Sequence, residues 1–219
     1  MMRCFVSRLT RDRRGATLLE FALVSPVMLL AMMGLGDLLY QEYAQSILNG
    51  AIQKAARDSS IEGGANNTAA IDGKVITLMT PIMKNLVNSC PPSGAAATWC
   101  ATRKTYDSFS EVAPEPFTDS NGNGVRDTGE CYTDENGNGS WDADPGVDGQ
   151  GGASAVTLYT MTISYPRIFP VAGLFKWAKT QTISSTTLLK NQPYASQTTT
   201  TNVTICKLTC DRSARLRAA

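Results

Sequence analysis

Apolar positions are distributed very unevenly along this chain. Phe21 to Gly36 (FALVSPVMLLAMMGLG) carries no charge, and Ala16 to Tyr40 is interrupted only by Glu20 and Asp37. About 20 apolar residues at 1.5 Å each cross a hydrocarbon layer, so 16–40 predicts a transmembrane helix. Beyond it, Ala44, Ile47, Leu48, Ala51, Ile52 and Ala55 recur at helical spacing. Nothing breaks the chain before Gly63-Gly64, so one helix is expected from about 17 to 58, kinked at Pro26. Ile71, Val75, Leu78, Met79, Ile82, Met83 and Leu86 predict a second amphipathic helix over 69–88, with Pro81 marking a kink or boundary and its methionines as core filler. The β-rich runs 156–165, 180–189 and 197–205 predict a small antiparallel sheet, with Gln192-Pro193-Tyr194 as the turn between the last two. The class is α+β, with an acidic loop region inserted before the sheet.

Charge divides the 219 residues further. Overall, 20 Lys and Arg face 19 Asp and Glu, which gives no reason to expect nucleic acid as a partner. Residues 1–15 form a basic leader with Arg3, Arg8, Arg11, Arg13 and Arg14. The positive-inside rule puts that leader in the cytoplasm and 41–219 outside. Residues 107–150 hold eleven acids and one base, Arg126. There is no His, which removes imidazole bases, Ser-His-Asp and Cys-His pairs and His-ligated zinc. No nucleophile motif stands out, and an enzyme is not expected.

Three schemes fit the amino-terminal segment: a cleaved secretory signal ending near Gly34-Leu35-Gly36, a plain uncleaved anchor, and a processed anchor. Glu20 distinguishes them, because a carboxylate at the mouth of an apolar run is costly without a partner. Arg13-Arg14-Gly15 followed by Ala16-Thr17-Leu18-Leu19-Glu20 resembles the class III signal of type IV pilins and pseudopilins. That resemblance implies cleavage after Gly15 by a prepilin peptidase. Glu20 would then offset the new amino terminus, Ala16, of a neighbouring subunit. The run GATLLEFALVSPVMLLAMMGLGDLLY, with Tyr165-Pro166-Arg167 and Asn191-Gln192-Pro193-Tyr194, resembles the TadE-like pilus assembly proteins of the tight-adherence (Flp) system. The implied role is a non-catalytic, single-pass inner-membrane pseudopilin with a periplasmic body. Its partners would be other pilin or pseudopilin subunits and the assembly platform. The region 90–150 departs from the short family pattern.

That region holds a calcium motif. Asp119, Asn121, Asn123, Val125, Asp127 and Glu130 occupy the ligand positions of a twelve-residue calcium loop, with Gly124 at its sharp turn. Asp134, Asn136, Asn138, Ser140 and Asp142 repeat the first nine positions. Position 12 is Pro145, leaving Asp144 or Asp148 to close the second site. Only three residues separate the loops, so these are bare loops rather than helix-flanked EF-hands. Ca²⁺ is the expected cofactor, at the weak end of the range, on the order of 10⁻⁴–10⁻³ M. The competing reading is a solvated loop of turn-forming residues. A calcium-dependent membrane-anchored adhesin is the alternative function.

Of six cysteines, Cys4 lies in the leader. Cys90 and Cys100 flank a short Pro-Pro-Ser-Gly stretch and suggest a local disulfide. Cys131 would pair with Cys206 or Cys210, leaving one thiol over unless it pairs between chains. Trp99, Trp141 and Trp177 read as packing residues.

Overall fold

The computed structural model describes residues 16–60, 67–93, 96–169, 173, 176–192 and 202–206. Helix α1 runs from Ala16 to Ser60 and continues through Pro26. Helix α2, Thr68–Met79, follows. The strands are β1 (Val87–Asn88), β2 (Thr98–Tyr106), β3 (Tyr132–Asp134), β4 (Val147–Asp148), β5 (Val156–Pro166), β6 (Thr180–Lys190) and β7 (Val203–Ile205).

The order β1-β2-β5-β6 forms the main sheet, with β4 also paired to β2. Neighbours are antiparallel except β1 and β2, which run parallel. Two registers, Arg103 opposite Tyr159 and Met161 opposite Ser185, put alternate residues of β2, β5 and β6 toward the helices. Tyr159, Met161, Ile163, Tyr165 and Ile183 meet Ala44, Leu48, Ala51, Ile52 and Ala55 of α1 and Ile71, Val75 and Met79 of α2 in one core. The outer face is polar: Thr160 hydrogen-bonds Thr186, and Thr162 hydrogen-bonds Ser184 across the strands. Both faces therefore follow from the period-two pattern.

Two buried polar groups join the layers. Asp72 of α2 pairs with Arg103 of β2 and accepts from the Tyr159 hydroxyl at 2.6 Å, while the guanidinium lies 4.3 Å from the Tyr159 ring centre. Burial, then the adjacent Asp72 carboxylate, raise the Tyr159 pKa. Asn191, 2% exposed, donates to the Gln150 and Gly152 carbonyls at 2.8 Å, and the Gln192 amide donates to Ser60 at the end of α1. The Asn-Gln pair thus locks the end of β6 to the turn before β5 and to α1.

Several elements differ from expectation. The second helix stops at Met79 rather than 88, because Pro81 has no N–H to continue the ladder. The apolar stripe nonetheless persists in the following turns, where Met83 is buried. Strand β2 is central but was not foreseen. Arg103 breaks its apolar alternation, and only Asp72, distant in sequence, makes that residue an inward one. The carboxy-terminal strand pairs with β3, not β6; Pro193 and Tyr194 of the expected turn lie outside the described residues. The sheet is mixed rather than wholly antiparallel.

Disulfides join Cys90 to Cys100 and Cys131 to Cys206. Both were among the expected pairings. Cys4 and Cys210 lie outside the described residues.

Candidate functional site

Two regions carry the chemistry singled out in the sequence: the first half of α1 and the paired acidic loops. Along α1, Leu18, Phe21, Leu23, Val27, Leu35 and Leu39 are each more than half exposed. Water does not favour such a surface, since contiguous apolar patches of this kind mark membrane or protein contact. The helix is long and apolar enough to cross a membrane, and none of its most apolar window is buried inside the protein. Glu20 lies on the exposed first turns. Gly15, the residue before the expected cleavage point, lies outside the described residues, and Ala16 begins the helix.

Where the apolar shell ends, α1 is fastened to the body. Asp37 is ion-paired with Arg167, both side chains being mostly buried. Tyr40 donates its hydroxyl to the Ile82 carbonyl at 2.6 Å and packs edge-on against Tyr165, with ring centres 5.7 Å apart. Burial raises the Tyr165 hydroxyl to about 12. The Tyr165-Pro166-Arg167 stretch is therefore a clasp for the helix residues Asp37 and Tyr40.

Residues 15–57 match a protein family described as TadE-like protein. The amino-terminal helix is TadE-like. This family is associated with the tight-adherence pilus and is generally structural rather than catalytic. The TadE-like match spans nearly all of α1, through both the exposed apolar half and the half packed on the sheet, and stops before α2. No curated protein and no solved structure matches the chain.

The acidic loops lie outside the TadE-like match. In the first, Asp119 accepts backbone N–H groups from Gly122 and Gly124 at 2.7 and 2.8 Å. Asn121 and Asn123 accept from the amides two residues on, those of Asn123 and Val125. Glu130 caps the loop, taking the Ser120 and Asp127 amides at 2.8 and 2.9 Å. The backbone amides on Asp119, Gly124 first, hold its carboxyl below its ordinary value. Gly124 (φ 74°) and its counterpart Gly139 (φ 75°) occupy left-handed backbone, which explains glycine at both positions.

The second loop repeats this frame bond for bond. Asp134 accepts from Gly137 and Gly139, Asn136 from Asn138, and Asn138 from Ser140. Glu115 supplies the closing carboxylate. It takes the Glu135 and Asp142 amides, both at 2.9 Å, in the same two loop positions that Glu130 caps in the first loop. Glu115 is fully buried, donates its backbone N–H to the Asp142 carbonyl at 3.0 Å, and receives the Trp141 indole N–H on its carbonyl at 2.8 Å.

Asp144 and Asp148, expected to close the second loop, lie elsewhere in the structure. Asp144 is engaged elsewhere, by Lys104 and by the Tyr106 hydroxyl at 2.9 Å, and Lys104 chiefly holds its carboxyl low. Asp148 belongs to β4, paired with Lys104 across the sheet. No short-range spacing marks Glu115, because it closes a loop that starts 19 residues after it. Only the missing acid at Pro145 hinted that the capping carboxylate came from elsewhere in the chain.

In each ring, amide nitrogens face the ninth-position acid. Asn121 and Asn123 donate to Asp127 Oδ2 at 2.7 and 2.8 Å, and Asn136 and Asn138 donate to Asp142. The oxygens of the same carboxamides accept the Asn123, Val125, Asn138 and Ser140 amides, so both ends of each are engaged. Among the described residues, no three Cys, Asp or Glu side chains are grouped closely enough to hold a metal by themselves.

Proposed function

We propose that this chain is a membrane-anchored minor pseudopilin that acts, without catalysis, in assembling a tight-adherence (Flp) pilus. The observation that supports the reading is the single helix α1, apolar and exposed from Leu18 to Leu39 and then packed into the body without a break. A pilin-type subunit needs this construction, since one rigid rod can sit in lipid or in a filament bundle while presenting a folded head. Residues 1–15 would be the cytoplasmic leader, 16–40 the inner-membrane span and 41–219 the periplasmic domain. Prepilin peptidase would cut after Gly15, and Glu20 would receive the charged Ala16 terminus of a neighbouring subunit, because an ion in lipid needs a partner. Intact mass and amino-terminal sequencing of the chain from native membranes test this. A start at Ala16, lost when Gly15 is changed or the peptidase is absent, is expected. A start at Met1 or Met2, or near Asp37, would overturn it.

The repeated loop frame favours a second function for the body. Glu130 and Glu115 take equivalent places over two DxNxNG loops, which supports calcium binding in both. Melting of the full chain in detergent should rise with millimolar Ca²⁺ and stay unchanged with Mg²⁺, whose smaller shell fits such a loop poorly. No rise at several millimolar Ca²⁺ would remove the calcium reading and leave the pseudopilin reading untouched.

A further inference from the structure

The connection between β5 and β6 lies beside the point where α1 leaves its apolar stretch. Its stem is closed by the Arg167 amide donating to the Lys179 carbonyl at 3.0 Å and by Arg167 Nε donating to the Ala178 carbonyl at 2.9 Å. The same Arg167 holds Asp37. The Phe169 ring lies against Gly36 so closely that a Cβ at Gly36 would come within 3.0 Å of it. The loop is thus fixed to α1 at residues 36 and 37, on one side of the helix.

Those residues mark a definite depth. A hydrocarbon layer about 30 Å thick takes about 20 helical residues. Counted from Ala16 or Glu20, the span ends between about 36 and 40. The uncharged run Phe21–Gly36 alone covers about 24 Å, short of the full thickness. The bilayer surface therefore falls at, or just beyond, the level where Phe169 touches the helix. At that level the loop exposes Ile168 (51%) and Trp177 (60%), with Lys176 and Lys179 also exposed beside them. Trp at the headgroup boundary and Lys reaching lipid phosphate are the side chains that stabilise such a position.

We propose that the β5–β6 connection is a membrane foot: Ile168, Phe169 and Trp177 enter the outer interfacial layer of the bilayer that α1 crosses, and Lys176 and Lys179 contact anionic headgroups. The partner is a lipid surface. The proposal rests on the membrane-spanning reading of α1. It adds a second attachment that fixes which face of the body meets the membrane.

The test is collisional quenching in vesicles of phosphatidylethanolamine and phosphatidylglycerol with brominated acyl chains. The full chain and its Trp177→Phe variant are compared, so that the difference in emission isolates Trp177 from Trp99 and Trp141. Flotation of the vesicles first establishes that α1 is inserted. Failure to float overturns the membrane-spanning reading itself, and the foot with it. In floating vesicles, the expected result is a blue-shifted Trp177 component, most of it lost to bromine near the headgroups and less to bromine at the chain ends. The Lys176→Glu, Lys179→Glu variant should lose seating by roughly fivefold per lysine and recover quenching least in phosphatidylglycerol-rich vesicles. A Trp177 component that emits like a water-exposed indole and is unquenched in floating vesicles would overturn the foot. Shielding that appears only after other pilus subunits are added would also overturn it, assigning the loop to a protein contact.

Discussion

Asp37 and Arg167, 130 residues apart in the chain, form an ion pair at the junction between the apolar rod and the folded head. The pair accounts for a charge that otherwise interrupts the membrane run. It also explains why Arg167 follows Tyr165 and Pro166, since Tyr165 packs on Tyr40 one turn along the same helix. Replacing either partner should loosen the head from the rod by about 1.5–3 kcal/mol, the range for hydrogen bonds to charged groups. A double-mutant cycle with Asp37→Asn and Arg167→Gln, read by thermal melting in detergent, should show most of the loss shared between them. Arg167→Lys should not rescue it, because the Nε contact to Ala178 disappears. Fully additive losses would mean that the two residues act separately.

Glu115 gives a sharper prediction. Glu115→Gln keeps the size of the side chain but offers one oxygen and an amide to two N–H groups. The second loop should open at a cost of about 1.5–3 kcal/mol, with a change in Trp141 emission, since its indole sits on the Glu115 carbonyl. Glu130→Gln should disturb the first loop and leave Trp141 nearly unchanged. If calcium binds, each variant should weaken only its own loop. Identical responses from both variants would contradict the separate capping seen here.

The acid response of the first loop has a defined sign. The Asp119 carboxyl is held below its ordinary value of 3.8 by the Gly124, Gly122 and Asn123 amides. A folded pKa below the unfolded one stabilises the loop above the unfolded value and loses that contribution as pH falls through the folded pKa. The amide resonances of Gly122 and Gly124 should therefore hold their positions from pH 7 to about 4 and move together only at lower pH. Movement centred above pH 4 would show that the amides do not donate to this carboxylate.

The Asp72–Arg103 pair predicts a large asymmetry. Asp72→Ala leaves a nearly buried guanidinium without its counter-charge and should cost about 3–5 kcal/mol. Tyr159→Phe removes one hydrogen bond from the same carboxylate and should cost about 1 kcal/mol. Urea denaturation of both variants checks the ratio. Equal losses would place the stabilisation in the tyrosine rather than in the charge pair.

These residues also mark where the sequence was legible. Helix α1, β5 and β6 announce themselves because each buries one regular face, and periodicity reports such a face directly. The loops were legible because a cation site or a tight turn needs fixed residue types at fixed spacing. Strand β2 was not, since its inward Arg103 looks polar until Asp72 is placed against it. Glu115 was missed for the same reason. Its role depends on a loop later in the chain, and a local window carries no trace of that pairing. Asp37 looked like an end to the apolar run, and only its distant partner shows it to be the hinge pin between rod and head.

The Cys131–Cys206 bond has a mechanical meaning for a protein whose helix would be pulled by a pilus machine. It joins residues 75 apart and closes a ring that contains β3 to β7. At about 3.5 Å per residue, that ring withholds roughly 260 Å of extension. Tension applied between α1 and the carboxy terminus bypasses it, so the head can shear but cannot pay out those strands as slack.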